Sequence, residues 1–237
     1  MAQMLYLGDD VTLPGNIYPP FSAFQIPARS GLQSALFLGS GLTSQFGAGG
    51  PPSVVGSPTV NANNYQMNGS NYLSEATPET LAMSMLVIAR KVTASDAVGF
   101  VGNTPGGSSA PTGVAIYSGA STGLVQLQSS RVGTPAGQTT QVTASTTEWG
   151  MYLASIPATG SNTLYNLTTG TSNNSPASEA RELNSGTIRV GNIPHATYAG
   201  SSRIALSMIW NRALSAAEAG TVGAWARTYA AAIGITV

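Results

Sequence analysis

The chain has 237 residues, of which 8% are charged; nine basic and nine acidic side chains leave a formal net charge of zero. Soluble domains average about 25% charged residues, so the basic footprint of a nucleic-acid binder is excluded, as is the polybasic face of an acidic-lipid binder. Apolar residues make up 42% and cysteine is absent, which argues against disorder and removes disulfides and thiolate metal sites.

Residues 1–52 hold Pro14, Pro19, Pro20, Pro27, Pro51 and Pro52, and a Gly/Ser-rich run over 39–50. No long periodic segment appears there. Yet Leu5, Tyr6, Leu7, Phe21, Phe24, Ile26, Leu36, Phe37, Leu38 and Phe46 keep the region apolar, which a solvated linker does not need. Two readings are open: one or two strands packed on the domain, or an extended arm docking on a neighbouring subunit. The arm is favoured, because low surface charge fits extensive contacts. The expected division is therefore an assembly arm over 1–52 and a β-domain over 53–237. MAQMLYLGDD has no basic start and no long apolar run, so no signal peptide is expected. No run approaches the ~18 residues of a membrane span.

From Val54 onwards the chain reads as short strands between turn signals. Asn68-Gly69 marks a hairpin turn. In the run 79–92, Leu81, Met83, Met85 and Val87 face one way and Leu86 and Ile88 the other, so both faces are buried. AVGFVGN, GVAIYSG and LVQLQSS follow; in the last, Leu124, Gln126 and Gln128 share one face and Val125 and Leu127 the other. Residues 104–113 and 131–138 are Gly/Pro turn regions. TTQVTAS and EWGMYLASI are strands, with Trp149, Met151 and Leu153 on one face. NTLYNLTTG is a strand and turn, 171–183 a polar loop, and GTIRVGN a strand.

The C-terminal stretch is the most specific. Residues 203–210 alternate, with Ile204, Leu206 and Met208 on one face and Ala205, Ser207 and Ile209 on the other. Ser215 and Glu218 form the S-x-x-E of a capping box. Val222, Trp225, Ala226, Tyr229 and Ile233 then recur at helical spacing, and Gly234 supplies a left-handed stop. RIALSMIWNRALSAAE followed by a helix ending in IGI resembles the C-terminal signature of laminin-G-like, concanavalin A-like jelly rolls. The resemblance covers about 54–235, with Trp149 matching the tryptophan that begins the core-crossing strand. It implies an all-β fold: a two-sheet antiparallel sandwich with one C-terminal helix and, here, an N-terminal arm.

Fold alone does not give function. Glycoside hydrolysis needs two facing carboxylates, and no predicted strand carries two; Glu75 and Glu79 fall in a turn, Glu179 and Glu182 in the polar loop, and Glu218 in the cap. The lone His195 sits in a loop with no nucleophile to serve. Asp9-Asp10 is the only adjacent acidic pair, so no metal or other cofactor is expected, although a weak calcium site of carbonyls and one Asp stays open. Sugar binding needs an aromatic ring for C–H stacking and amides for hydroxyls. The three tryptophans read as structural. The free loop candidates are Tyr117, Tyr165, Asn173, Asn174, His195 and Tyr198, with Asn103 beside them.

The expected function is a non-enzymatic virion protein of a phage tail fibre, baseplate or capsid surface. It would be homo-oligomeric, would contact other virion proteins through residues 1–52, and would bind a host surface glycan. The alternatives are a decoration or cement protein without ligand, and a polysaccharide-degrading enzyme. No nucleic-acid partner and no membrane insertion are expected.

Overall fold

The computed structural model describes residues 26–39, 45–46, 50–105 and 111–237. Among the described residues sixteen strands form two antiparallel sheets, and one α-helix, α1 (Ala216–Ala232), follows the last strand. The first sheet has nine strands. Its main path runs β14 (Thr171–Ser175), β13 (Asn162–Asn166), β12 (Gly150–Ile156), β7 (Met83–Lys91), β16 (Ser202–Trp210), β1 (Leu32–Phe37) and β2 (Gln45–Phe46). Two short strands, β4 (Thr59–Val60) and β5 (Tyr65–Met67), join it through β16. The second sheet runs β11 (Thr134–Thr143), β10 (Leu124–Arg131), β9 (Val114–Ser118), β8 (Val98–Gly102), β15 (Arg189–Val190), β6 (Tyr72–Ser74) and β3 (Ser53–Val55).

The period-two alternation along each strand sorts side chains between two apolar layers. Met83, Met85 and Val87 of β7 meet Phe100, Ile116, Val125 and Leu127 between the sheets. Leu86 and Ile88 of the same strand point the other way and join Met151, Leu153, Leu206, Met208 and Trp210 under α1. The helix presents Val222, Ala226 and Tyr229 to this second layer, with Trp225 and Ile233 at its margin. Its capping box is formed: the Ser215 hydroxyl accepts from the Glu218 N–H and the Glu218 carboxylate accepts from the Ser215 N–H. Gly234 follows at φ +74°. Buried Ser84 and Ser155 take up the backbone of the turn into the helix, through Arg212 O, Leu214 N–H and Leu214 O. We call the first sheet the covered sheet and the second the open sheet.

Several expectations change. Residues 32–37, inside the expected arm, form β1 and pair with β16. Leu36 and Leu38 enter the inter-sheet layer and Ile26 and Phe37 the helix layer, and Trp210 Nε1–H donates to Ala28 O at 2.8 Å. Burial of these side chains carries this part of the segment onto its own sandwich; residues 1–25, 40–44 and 47–49 lie outside the described residues. Asn68 and Asn71 make the expected turn, but β5 and β6 go to opposite sheets, so it is a crossover rather than a hairpin. β16 does not alternate regularly. A bulge shifts its register against β7 between Ile204 and Leu206, so Ile204 faces the inter-sheet layer while Ala205, Leu206 and Met208 face the helix. The bulge frees the Ala205 carbonyl to accept from Leu38 N–H and Tyr229 O–H. The polar run after 170 is not all loop, since β14 pairs along β13. Leu81 is half exposed ahead of β7, and β10 and β11 leave only Val132 and Gly133 between them. Residues 106–110 of the expected 104–113 loop are outside the described residues.

Candidate functional site

The open sheet turns one face toward the inter-sheet layer and the other away from it. Val114, Ile116, Val125, Leu127 and Val142 point inward, so alternation sends Ala115, Tyr117, Gln126, Gln128, Thr139 and Gln141 outward. Register places Tyr117 opposite Gln126, and Gln126 opposite Gln141. Cross-strand neighbours on one face sit within side-chain reach, and Gln126 Nε2 lies 3.3 Å from Gln141 Oε1. One row of polar side chains thus crosses three strands.

A loop carries the row further. Residues 191–201 fold over β8 at Gly99, where a Cβ would come within 2.6 Å of Ile193 N; only glycine permits that approach. The loop is fastened by Gly200 N–H to Ala97 O, by Ser201 N–H to Asp96 Oδ2 and by a bridge between Val98 and Ala199. Within it His195 caps a single 3-10 turn, Ala196–Tyr198, its Nδ1 accepting from Thr197 N–H at 3.2 Å. In the neutral ring the proton then sits on Nε2. Tyr198 lies edge-on between two rings, with centroids 4.7 Å from Tyr117 and 4.9 Å from His195. Tyr117 is buried against Ala115 and Ile193, whereas Tyr198 and His195 are half-buried.

Burial pushes the Tyr117 phenol up to about 12, with Tyr198 adding to the shift and Thr139 opposing it by a hydrogen bond. Burial also raises Tyr198. Both phenols therefore stay protonated at neutral pH and act as hydroxyl donors and acceptors. The row His195, Tyr198, Tyr117, Gln126, Gln141 offers aromatic edge and face, phenol, imidazole and two amides, the first two residues on the loop and the last three on adjacent strands. That combination suits a neutral, polyhydroxylated ligand.

Three of the six sequence candidates, Tyr117, His195 and Tyr198, come together here. Asn173 ends beside the row: its Nδ2–H donates to Gln141 O at 3.0 Å, tying the edge of the covered sheet to the edge of the open one. Asn174 pairs with Thr163 and shares its face, away from the row. Tyr165 is no loop residue; it lies on β13 and packs against the helix layer. Asn103 is fully buried and holds Glu79 Oε2, Gly186 O and Val114 N–H. Gln126 and Gln141 were missed because neither reads as a site until register aligns them.

The structure also brings together two carboxylates that the sequence left in a turn. Glu75 and Glu79 line one cavity of about 580 Å³ with residues 183–187. They do not make a hydrolytic pair. Both Glu79 oxygens are held inside the protein: Arg181 Nη2 pairs with Oε1, while Asn103 Nδ2 and Asn184 N–H donate to Oε2. A carboxylate so held is not free to act as nucleophile or base. Among the described residues no group of three or more His, Asp or Glu side chains is gathered as a metal site, and no helix is long and apolar enough to cross a membrane.

No protein-family model matches the chain and no curated protein matches it. Solved structures do. The binding domain of botulinum neurotoxin serotype D superposes with a TM-score of 0.61 at 11% identity, over 83% of this chain and 52% of that one. The binding domain of botulinum neurotoxin DC, solved in complex with SialylT, gives 0.58 at 10% identity, over 83% and 52%. Domain 4 of AbnA, a GH43 extracellular arabinanase from Geobacillus stearothermophilus, solved in complex with arabinotriose, gives 0.57 at 13% identity, over 81% of this chain and 98% of that one. The chain spans about half the length of the neurotoxin binding domains it matches. At these identities the likeness concerns the fold. It agrees with the strand order, which defines a two-sheet antiparallel β-sandwich with one C-terminal helix.

Proposed function

We propose that the chain is a non-catalytic glycan-binding module that takes a saccharide on the outer face of its open sheet. The observation that carries the reading is the row from His195 to Gln141, where a half-buried tyrosine on the loop over β8 continues the line of two side-chain amides on adjacent strands. Tyr198 stacks against the C–H face of a sugar ring, and Gln126, Gln141 and the imidazole take its hydroxyls. Domains of the same fold solved with SialylT and arabinotriose support this reading.

The setting that fits the composition is a virion surface, where the module serves host attachment as part of a homo-oligomer. Only 8% charge and no cysteine support it. A glycan array probed with the full chain tests the reading. We expect binding to a restricted set of surface glycans, lost by at least about tenfold in Tyr198→Ala, the usual scale of one removed anchor. Absence of binding to any glycan would leave the decoration-protein alternative.

A further inference from the structure

The polar row across the open sheet is longer than one sugar ring. Gln141, Gln126 and Tyr117 stand directly opposite one another on β11, β10 and β9, and adjacent strands lie about 4.8 Å apart. The loop over β8 carries the line on, with ring centroids 4.7 Å from Tyr117 to Tyr198 and 4.9 Å from Tyr198 to His195. The groups of the row therefore recur at one nearly constant step, and that step is close to the length of one pyranose residue in an extended chain. The amides are open to a ligand: Gln141 is exposed and Gln126 half-buried. Their hydrogen bond to each other uses Gln126 Nε2 and Gln141 Oε1, which leaves Gln126 Oε1 as an acceptor and Gln141 Nε2 as a donor for hydroxyls. Direction follows from burial. Two residues from Tyr117 along β9 stands Ala115, fully buried, so a ligand running along that strand meets no further polar side chain there, whereas one running across the strands meets an amide on each.

We propose that the saccharide is a linear, neutral chain of about three or more consecutive sugars, laid across the strands from the loop over β8 to the β11 edge. The inference rests on the glycan-binding reading and names the ligand class of that site. One ring stacks on Tyr198, and the hydroxyls that Gln126 and Gln141 take belong to the sugars that follow it. Charge agrees with a neutral chain: none of the outward positions Ala115, Tyr117, Gln126, Gln128, Thr139 and Gln141 carries any. A carboxylated or sulfated chain would lose hydration of its anions over this stretch without gaining a cation. Single amide contacts are worth only a few-fold in affinity, so the row binds firmly only when several sugars engage it together.

The test is a titration of the isotope-labelled full chain, followed by amide shifts, with ladders from monosaccharide to pentasaccharide. The ladders are malto-, cello-, xylo-, manno- and galacto-oligosaccharides, together with the strongest neutral hit of the glycan array cut to the same lengths. We expect at least one ladder to shift Tyr117, Gln126, Gln141 and Tyr198. Its affinity should climb about tenfold from mono- to trisaccharide, the scale of one or two added hydrogen bonds, and level off once the row is filled. Gln126→Ala with Gln141→Ala should remove most of that climb, whereas Tyr198→Ala should weaken every length; should the double variant not fold, the wild-type ladder decides. Equal affinity at every length, a climb that survives in the double variant, shifts confined to other parts of the chain, or no response to any ladder would overturn the inference. Where the array shows a bound glycan in those cases, the functional reading stands. No response to any ladder, with no glycan bound on the array, would overturn both.

Discussion

On the covered sheet the outward positions of β7, β12 and β16 are Leu86, Ile88, Met151, Leu153, Leu206 and Met208, all fully buried under α1. On the open sheet the outward positions of β9, β10 and β11 are Ala115, Tyr117, Gln126, Gln128, Thr139 and Gln141. Both sheets contribute their other face to the same inter-sheet layer. The difference lies in what finishes each outer face. An apolar face must be covered, and the helix covers it. A face of amides, hydroxyls and one aromatic cluster is stable against water and does not need such a cover. The helix layer belongs to one side of the sandwich; the polar row belongs to the other.

The largest effect expected from this contrast is at Trp210, which is fully buried between β16 and the helix layer and tied to Ala28. Trp210→Ala should destabilise by about 3–5 kcal/mol in urea melts. A loss under about 1 kcal/mol would mean that the helix layer does not stabilise the sheet.

An intermediate effect is expected at Glu75. Its carboxyl is raised from 4.5 to about 7, burial being the main cause and Ser34 opposing it. The folded state therefore holds this proton more tightly than the unfolded chain. Below pH ~4.5 both states are protonated and the contribution is complete; it is lost as pH rises to about 7 and is flat beyond. The total is at most about 3 kcal/mol. Melts at a series of pH values should show this fall in the wild type and not in Glu75→Gln. An equal slope in both would place the carboxyl in solvent.

The smallest effect is expected on the open face. Gln126→Ala with Gln141→Ala should change stability by about 0.5 kcal/mol or less, as for surface positions without special contacts, while weakening glycan binding. A larger loss in the melt would mean that the amide row holds the sheet together and is not a free face.

Much of this architecture was legible in the chain. The two-sided apolar pattern from Met83 to Ile88 predicted a strand serving two layers, and Ser215 with Glu218 predicted the helix start. Local signals sufficed in both places. The bulge at Ala205 was not legible, because Ile204, Leu206 and Met208 read as one regular face; the shift appears only in pairing with β7. β14 was missed because TSNNS is exposed at four of five positions and has no apolar period to read. The Glu79 environment depends on Arg181, 102 residues away. The candidate row depends on the relative register of β9, β10 and β11, which no single stretch of sequence states.

Counted in residues, β16 is one longer than the ladder with β7 requires. Consecutive positions 89 and 88 on β7 meet 204 and 206 on β16, and Ala205 is the surplus. Its carbonyl serves Leu38 and Tyr229 rather than the ladder. A chain lacking Ala205 would keep every other side chain of β16 in its present inward or outward phase. The ladder with β7 would close without the surplus, while Leu38 N–H and the Tyr229 hydroxyl would both lose their acceptor. One extra residue thus turns a backbone carbonyl out of a ladder and gives it to the helix and to the segment after β1, adding a polar tie to the apolar burial that already holds the cover in place.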